Sequence, residues 1–272
     1  MPSLNAITPE KLVRLVGTPG CPAIVDVGAA GGPSIPGSVR RPPEEAASWA
    51  DRLSGRSAVV VCARGHEKSA GAAALLRHEG VDAEILEGGA AAWSEAGLPV
   101  IAEDRLPPRD AEGRTMWVTR ARPKVDRIAC PWLIRRFVDP EAVFLFVAPA
   151  EVAGVAERFG AAPFDVDGAF WSHRGDLCTF DVLVAELGLG GFEGLARLAP
   201  IVRGADTARP DLAPQSAGLL AASLGLSRMF ADDLQQLEAG MLLYDALYRW
   251  CRDAVDETHD WVSHRPSRKG GR

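Results

Sequence analysis

No apolar run in this 272-residue chain approaches the roughly 18 residues needed to cross a bilayer. The opening Met-Pro-Ser-Leu-Asn lacks the basic and apolar regions of a secretory signal, so a cytoplasmic protein is expected. Cysteine is sparse: Cys21, Cys62, Cys130, Cys178 and Cys251 are dispersed, with no CxxC pair. An odd, scattered set argues against a disulfide framework or a zinc knuckle, and each thiol must be judged alone. A net charge of −6 gives no general pull toward nucleic acid. No helix–turn–helix pattern and no internal repeat is evident, so a nucleic-acid partner is not expected.

What the chain does have is the composition of a folded protein, 47% hydrophobic and 24% charged. Short β runs alternate with helical segments through the first hundred residues. Thr8-Pro9-Glu10 supplies a hydroxyl cap, a first-turn proline and an acid for the helix dipole. Residues 23–27 and 57–62 read as buried strands, 69–78 as an alanine-rich helix, 83–86 as another strand, and Gly88-Gly89 as a turn into a helix holding Trp93. This alternation predicts an α/β domain over 1–103, with a small parallel sheet and helices on both faces. The charged stretch 104–114 carries Pro107-Pro108 and reads as a linker. Residues 115–255 read as an α+β, mostly helical domain. Strands are expected at 116–119, 143–147 and 164–166, and helices at 178–187, 192–203, 216–225 and 231–253. The end, 256–272, is a basic tail, expected to be disordered.

The segment V-V-V-C-A-R-G-H-E-K-S-A-G carries the clearest chemistry. A buried strand ends in Cys62, and a polar loop of Ala63, Arg64, Gly65, His66, Glu67, Lys68 and Ser69 leads into a helix. In such a loop the backbone N–H groups converge above the sulfur, aided by the helix dipole. The same field lowers a thiol pKa and produces a nucleophilic thiolate. Gly65 permits the tight turn.

These residues resemble the rhodanese (sulfurtransferase) superfamily, and the similarity extends along residues 8–100. Asp26-Val27 is similar to the family's early Asp-Val, and Ser34-Ile35-Pro36-Gly37-Ser38 to its His-Ile-Pro-Gly-Ala turn. Glu87-Gly88-Gly89, Trp93 and Ala96-Gly97-Leu98-Pro99 are similar to its closing signature. The resemblance implies that Cys62 takes up sulfane sulfur as a persulfide and passes it to an acceptor, with Asp26 in support. Two positions depart from the pattern: Gly28 replaces an arginine and Ser34 a histidine. The loop also departs, since Lys68 gives a C-x5-K spacing nearer the longer loop of rhodanese-fold phosphatases and arsenate reductases. A longer loop makes a wider cradle, suited to a tetrahedral oxyanion, although lysine lacks arginine's bidentate fork.

The second unit opens with R-P-K-V-D-R-I-A-C-P-W-L-I-R-R-F-V-D-P-E. P-F-D-V, S-H-R-G-D-L-C-T-F-D and I-V-R-G-A-D follow. It resembles the C-terminal domain of the chromate-resistance (ChrB) family. That resemblance implies a role in chromate resistance, and Asp206 would be a polar site residue by the same resemblance. From the residues themselves, His173, Asp176, Cys178 and Asp181 fall within nine positions and offer a transition metal mixed donors. The alternative is helix capping, packing and a surface histidine. Asp126 and Cys130, four apart, share a face if the segment is helical, although Pro131 predicts that the helix starts near that residue. No cofactor is otherwise called for. Arg120, Arg122, Lys124, Arg127, Arg135 and Arg136 could form an oxyanion surface or a solvated, ion-paired face. The expected function is sulfurtransfer through Cys62, linked to chromate, with small-molecule partners such as thiosulfate or chromate and no membrane. The alternative is a non-enzymatic chromate sensor or a transcriptional regulator of chromate resistance.

Overall fold

The computed structural model describes residues 5–29 and 34–258. Most of the basic tail, 259–272, lies outside the described residues.

The N-terminal elements follow the expected alternation. They are β1 (Ala6–Ile7), α1 (Pro9–Val13), β2 (Ala23–Asp26), β3 (Ser38–Arg40), α2 (Ala46–Trp49), β4 (Ala58–Val61), α3 (Glu67–His78), β5 (Ala83–Leu86) and α4 (Gly89–Glu95). The Thr8 hydroxyl accepts the Lys11 amide at 3.4 Å and so caps α1 as its sequence predicts. All pairings in the five-stranded sheet are parallel, in the order β1-β5-β4-β2-β3. The period of two in β4 sorts its side chains: Ala58, Val60 and Cys62 join one apolar cluster, while Val59 and Val61 join another. The first cluster contains Trp49 of α2 with Ala72 and Leu76 of α3, and the second contains Leu12 of α1 and Trp93 of α4. Helices therefore cover both faces. β4 is the central strand, so Cys62 stands at the middle of the sheet's carboxyl edge, where open parallel sheets bind ligands.

The C-terminal elements are β6 (Met116–Arg120), α5 (Asp126–Phe137), β7 (Val143–Val147), α6 (Val152–Phe159), β8 (Ala162–Pro163), α7 (Thr179–Glu186), α8 (Glu193–Asp206), α9 (Ser216–Met229) and α10 (Asp233–Asp253). A small parallel sheet, β7-β6-β8, lies among helices. Three expectations need correction. The strand expected at 164–166 is β8, which ends at Pro163; Phe164 beyond it bridges Trp171 and donates its amide to the Val118 carbonyl at 3.0 Å. Helix α6 has no counterpart in the expected elements. Pro131 does not begin a helix but sits inside α5. It removes one backbone donor, and the complete burial of Ala129, Cys130, Trp132, Leu133, Ile134 and Phe137 outweighs that loss.

Trp132 centres the helical core. It lies within ring contact of Phe137, Phe180, Tyr244 and Tyr248, and its Nε1–H donates to Asp245 at 2.8 Å. The same carboxylate pairs with Arg136 through Nε and Nη2, each at 2.8 Å.

The apolar cluster beneath β4 continues into this core: Leu12, Val16, Ile35 and Trp93 belong to one cluster with Trp132, Phe137 and Tyr248. At the seam the Gly37 amide donates to the Phe137 carbonyl at 2.7 Å. A β-carbon on Gly17, where φ is +79°, would lie 2.2 Å from the Phe137 ring, so glycine is required there. The stretch 104–114 is pinned as well, by Arg105 to Glu186 and Arg109 to Asp139. No helix among the described residues is long and apolar enough to cross a membrane.

Candidate functional site

The Cys62 loop is held from below. The Ala90 and Ala91 amides, at the start of α4, donate to the carbonyls of Cys62 and Ala63, each at 2.9 Å. A β-carbon on Gly89 would lie 2.2 Å from the Cys62 carbonyl oxygen and 2.6 Å from the Gly65 nitrogen. Gly65 has φ +73°, and its missing side chain would meet the Leu86 carbonyl at 2.8 Å. Both glycines are thus set by close backbone approach as well as by positive φ. The Gly-Gly pair is legible in the sequence as a turn, but its place as the floor of the cysteine loop comes from the fold.

Cys62 is only 6% exposed, and its sulfur lies 3.2 Å from the buried Ser69 hydroxyl. Burial alone would push the thiol up. The Ser69 hydroxyl and the backbone amides of Ser69, Arg64 and His66 outweigh it and hold the thiol below its ordinary value. The Ser69 hydroxyl also lies 3.1 Å from the His66 carbonyl, so its single proton has two acceptors and can turn to a thiolate. Ala63, Arg64, His66, Glu67 and Lys68 are exposed around this sulfur. A groove of about 550 Å³, lined by Pro43, Glu44, Glu67, Lys68 and Leu75 among others, flanks the first turn of α3. Asp26 supports the neighbouring strand end: it accepts the Gly28 amide at 2.8 Å and pairs with Arg40 at 2.8 Å.

A second constellation forms in the C-terminal unit. His173 Nε2 lies 3.1 Å from Asp206 Oδ2, 3.5 Å from Asp165 Oδ1 and 3.6 Å from Asp126 Oδ2. Ligating atoms of Asp126, His173 and Asp206 all lie within 4.8 Å of one another. Asp126 opens α5 and is wholly buried, with Oδ2 accepting the Thr179 amide at 2.6 Å. Burial, then the charges of Asp206 and Asp165, push its carboxyl well above the usual range. Burial and Asp165 likewise raise Asp206 against the pull of His173. Asp165 sits in the left-handed region at φ +51°, and Val125, just before Asp126, at φ +21°. Backbone strain therefore collects around this group.

Asp165 was not anticipated, because a lone aspartate in P-F-D-V carries no spacing signal. The remaining expected residues fall elsewhere. Cys130 and Cys178 are buried beside Asp126, and burial followed by that carboxylate pushes both thiols up. Asp181 turns back to accept the Cys178 amide at 3.1 Å and faces Arg203. Asp176 is exposed and outside the cluster. Of His173, Asp176, Cys178 and Asp181, only His173 joins the cluster with Asp126 and Asp206.

The basic stretch resolves into pairs. Arg120 and Arg127 hold Asp165, Arg135 holds Glu238, and Arg136 holds Asp245. Arg122 binds carbonyls of residues 227 and 230.

Residues 117–251 match the family model described as ChrB, C-terminal domain. The C-terminal half is a ChrB C-terminal domain. Protein ChrB from Cupriavidus metallidurans is 39% identical over 145 residues, covering 53% of this chain and 43% of that protein. The chain thus spans less than half the length of this relative. The N-terminal third matches rhodanese-like structures. A rhodanese-related protein from Thermoplasma volcanium is 27% identical, with a TM-score of 0.33, covering 36% of this chain and 99% of that one. A thiosulfate sulfurtransferase from Pseudomonas aeruginosa is 27% identical with a TM-score of 0.33, covering 36% of this chain and 19% of that one. Asp126, Asp165, His173 and Asp206 all fall inside the ChrB domain, and Cys62 falls outside it.

Proposed function

We propose that the protein is a sulfurtransferase whose Cys62 carries sulfane sulfur, and that its ChrB domain ties this chemistry to chromate resistance. The observation that carries the reading is the environment of one sulfur. Cys62 directly follows the central strand and faces a hydroxyl and three backbone amides that favour its thiolate.

The chemistry follows from that thiolate. It attacks the outer sulfur of thiosulfate, the S–S bond breaks, and sulfite leaves with the bonding pair. Cys62 is left as a persulfide, whose anionic outer sulfur takes the place of the thiolate among the loop amides. An acceptor such as cyanide then attacks that outer sulfur, leaves as thiocyanate, and restores the thiolate. These steps need no acid or base, because no proton moves once the thiolate has formed.

Alkylation tests the reading. After thiosulfate treatment, iodoacetamide should label Cys62 through the added sulfur, giving an adduct one sulfur atom heavier than the direct one, with the other four cysteines unchanged. If the Cys62 adduct keeps its direct mass after thiosulfate, the sulfurtransferase reading fails. Protection by chromate alone would favour an oxyanion sensor at the same loop, consistent with its C-x5-K length.

A further inference from the structure

We propose that Asp126, Asp165, Asp206 and His173 of the ChrB domain together bind one divalent transition-metal ion through three carboxylate oxygens and one imidazole nitrogen. The site is separate from Cys62, and neither requires the other.

Four elements deliver the ligands. Asp126 is the first residue of α5, Asp165 follows β8, His173 lies in the loop before α7, and Asp206 is the last residue of α8. His173 Nε2 stands 3.1, 3.5 and 3.6 Å from Asp206, Asp165 and Asp126, and the ligating atoms of Asp126, His173 and Asp206 all lie within 4.8 Å of one another. Ligands about 2.1 Å from a common ion at tetrahedral or octahedral angles stand roughly 3.0–3.5 Å apart.

A further observation points to a cation. Asp126 is wholly buried; its Oδ2, the oxygen 3.6 Å from His173 Nε2, takes the amides of Thr179 and Phe180, while its Oδ1 has no hydrogen-bond partner. A buried carboxylate oxygen without a donor is costly, and a cation satisfies it.

The supporting contacts aim the ligands. Arg127 Nε and Arg120 Nη2 hold Asp165 Oδ2 at 3.1 and 3.4 Å, which leaves Oδ1 turned toward His173, steadied by the Thr179 hydroxyl at 3.2 Å. Such contacts fix carboxylate orientation around metals. The His173 side chain is 40% exposed, so the ion has a route in and an open face for water or an oxyanion. The donor set contains no thiolate, since Cys130 and Cys178 are not among the converging groups. Oxygen-rich sites with one imidazole suit Mn²⁺ or Fe²⁺ better than thiophilic ions.

The test uses the full chain stripped with a chelator and titrated with Mn²⁺, with free ion followed by electron paramagnetic resonance. One Mn²⁺ per chain is expected. His173→Ala, at an exposed position that leaves the core intact, and Asp165→Asn should each weaken binding about tenfold or more. Asp176→Asn and Cys62→Ser should leave it unchanged. Co²⁺ loading gives a second readout: absorption without a thiolate charge-transfer band supports the oxygen–nitrogen set. Absence of stoichiometric Mn²⁺ or Co²⁺ binding, binding unaffected by His173→Ala, or a thiolate band would each overturn the proposal.

Discussion

The hydroxyl of Ser69, in the first turn of α3, lies 3.2 Å from the sulfur of Cys62 just past β4, and both residues are buried. Ser69→Ala removes the one side-chain donor to the thiolate. A hydrogen bond to a charged group contributes about 1.5–3 kcal/mol, so the thiolate fraction near neutral pH should fall roughly tenfold or more. The pH dependence of iodoacetamide alkylation at Cys62 measures this, and an unchanged profile would remove Ser69 from the account.

The five cysteines should separate by pH. Burial pushes Cys21 up to about 12 and Cys251 up to about 11, and it also raises Cys130 and Cys178, whereas Cys62 is lowered. Mass mapping after brief alkylation of the folded protein near pH 7 should find the label on Cys62 alone.

Stability should follow the same signs. Between the lowered pKa of Cys62 and the ordinary value near 8.5, the folded state holds fewer protons than the unfolded chain. The contribution of Cys62 therefore grows as pH rises through that window and is complete above it. Cys21 and Cys251 act oppositely: above about 8.5 the unfolded chain releases their protons first, so their contribution falls as pH rises. Denaturant titrations of wild type and Cys62→Ser should show wild type gaining on the variant from neutral pH toward about 8.5.

Gly89→Ala should harm the loop without touching the sulfur. The added methyl would stand 2.2 Å from the Cys62 carbonyl on a backbone with φ +62°. A cost of about 1–3 kcal/mol is expected. Alkylation of Cys62 should slow as well, because the loop amides lose their convergence. Thermal melts and alkylation rates check both.

Asp245→Ala probes the helical core. It strips the partner from the Trp132 Nε1–H and from the Arg136 guanidinium at once. A loss of about 2–4 kcal/mol is expected by denaturant unfolding.

Much of the N-terminal fold was legible because its signals are local. Strand 83–86 and the Thr8 cap are read directly from residue order, and the Val-Val-Val-Cys run announces a buried strand. In the C-terminal unit, strand 143–147 was equally plain. What could not be read depended on long-range assembly. Asp165, His173 and Asp206 meet Asp126 only after four elements converge, and no spacing encodes that. His173, Asp176, Cys178 and Asp181 look like a ligand set along the chain, yet only His173 joins the cluster with Asp126 and Asp206. Pro131 misled because its local rule was overridden by burial on all sides of α5. The shared core beneath β4 was hidden for a similar reason, since the charged 104–114 stretch reads as a spacer while Arg105 and Arg109 pin it to the second unit.

The central claim is that Cys62 carries sulfur. Its most direct test is a thiosulfate–cyanide turnover assay on wild type and Cys62→Ser, with intact mass read before and after thiosulfate. The account predicts thiocyanate production and a mass gain of one sulfur atom in wild type, both abolished in Cys62→Ser. Turnover or sulfur uptake that survives in Cys62→Ser, or neither in wild type, would contradict it.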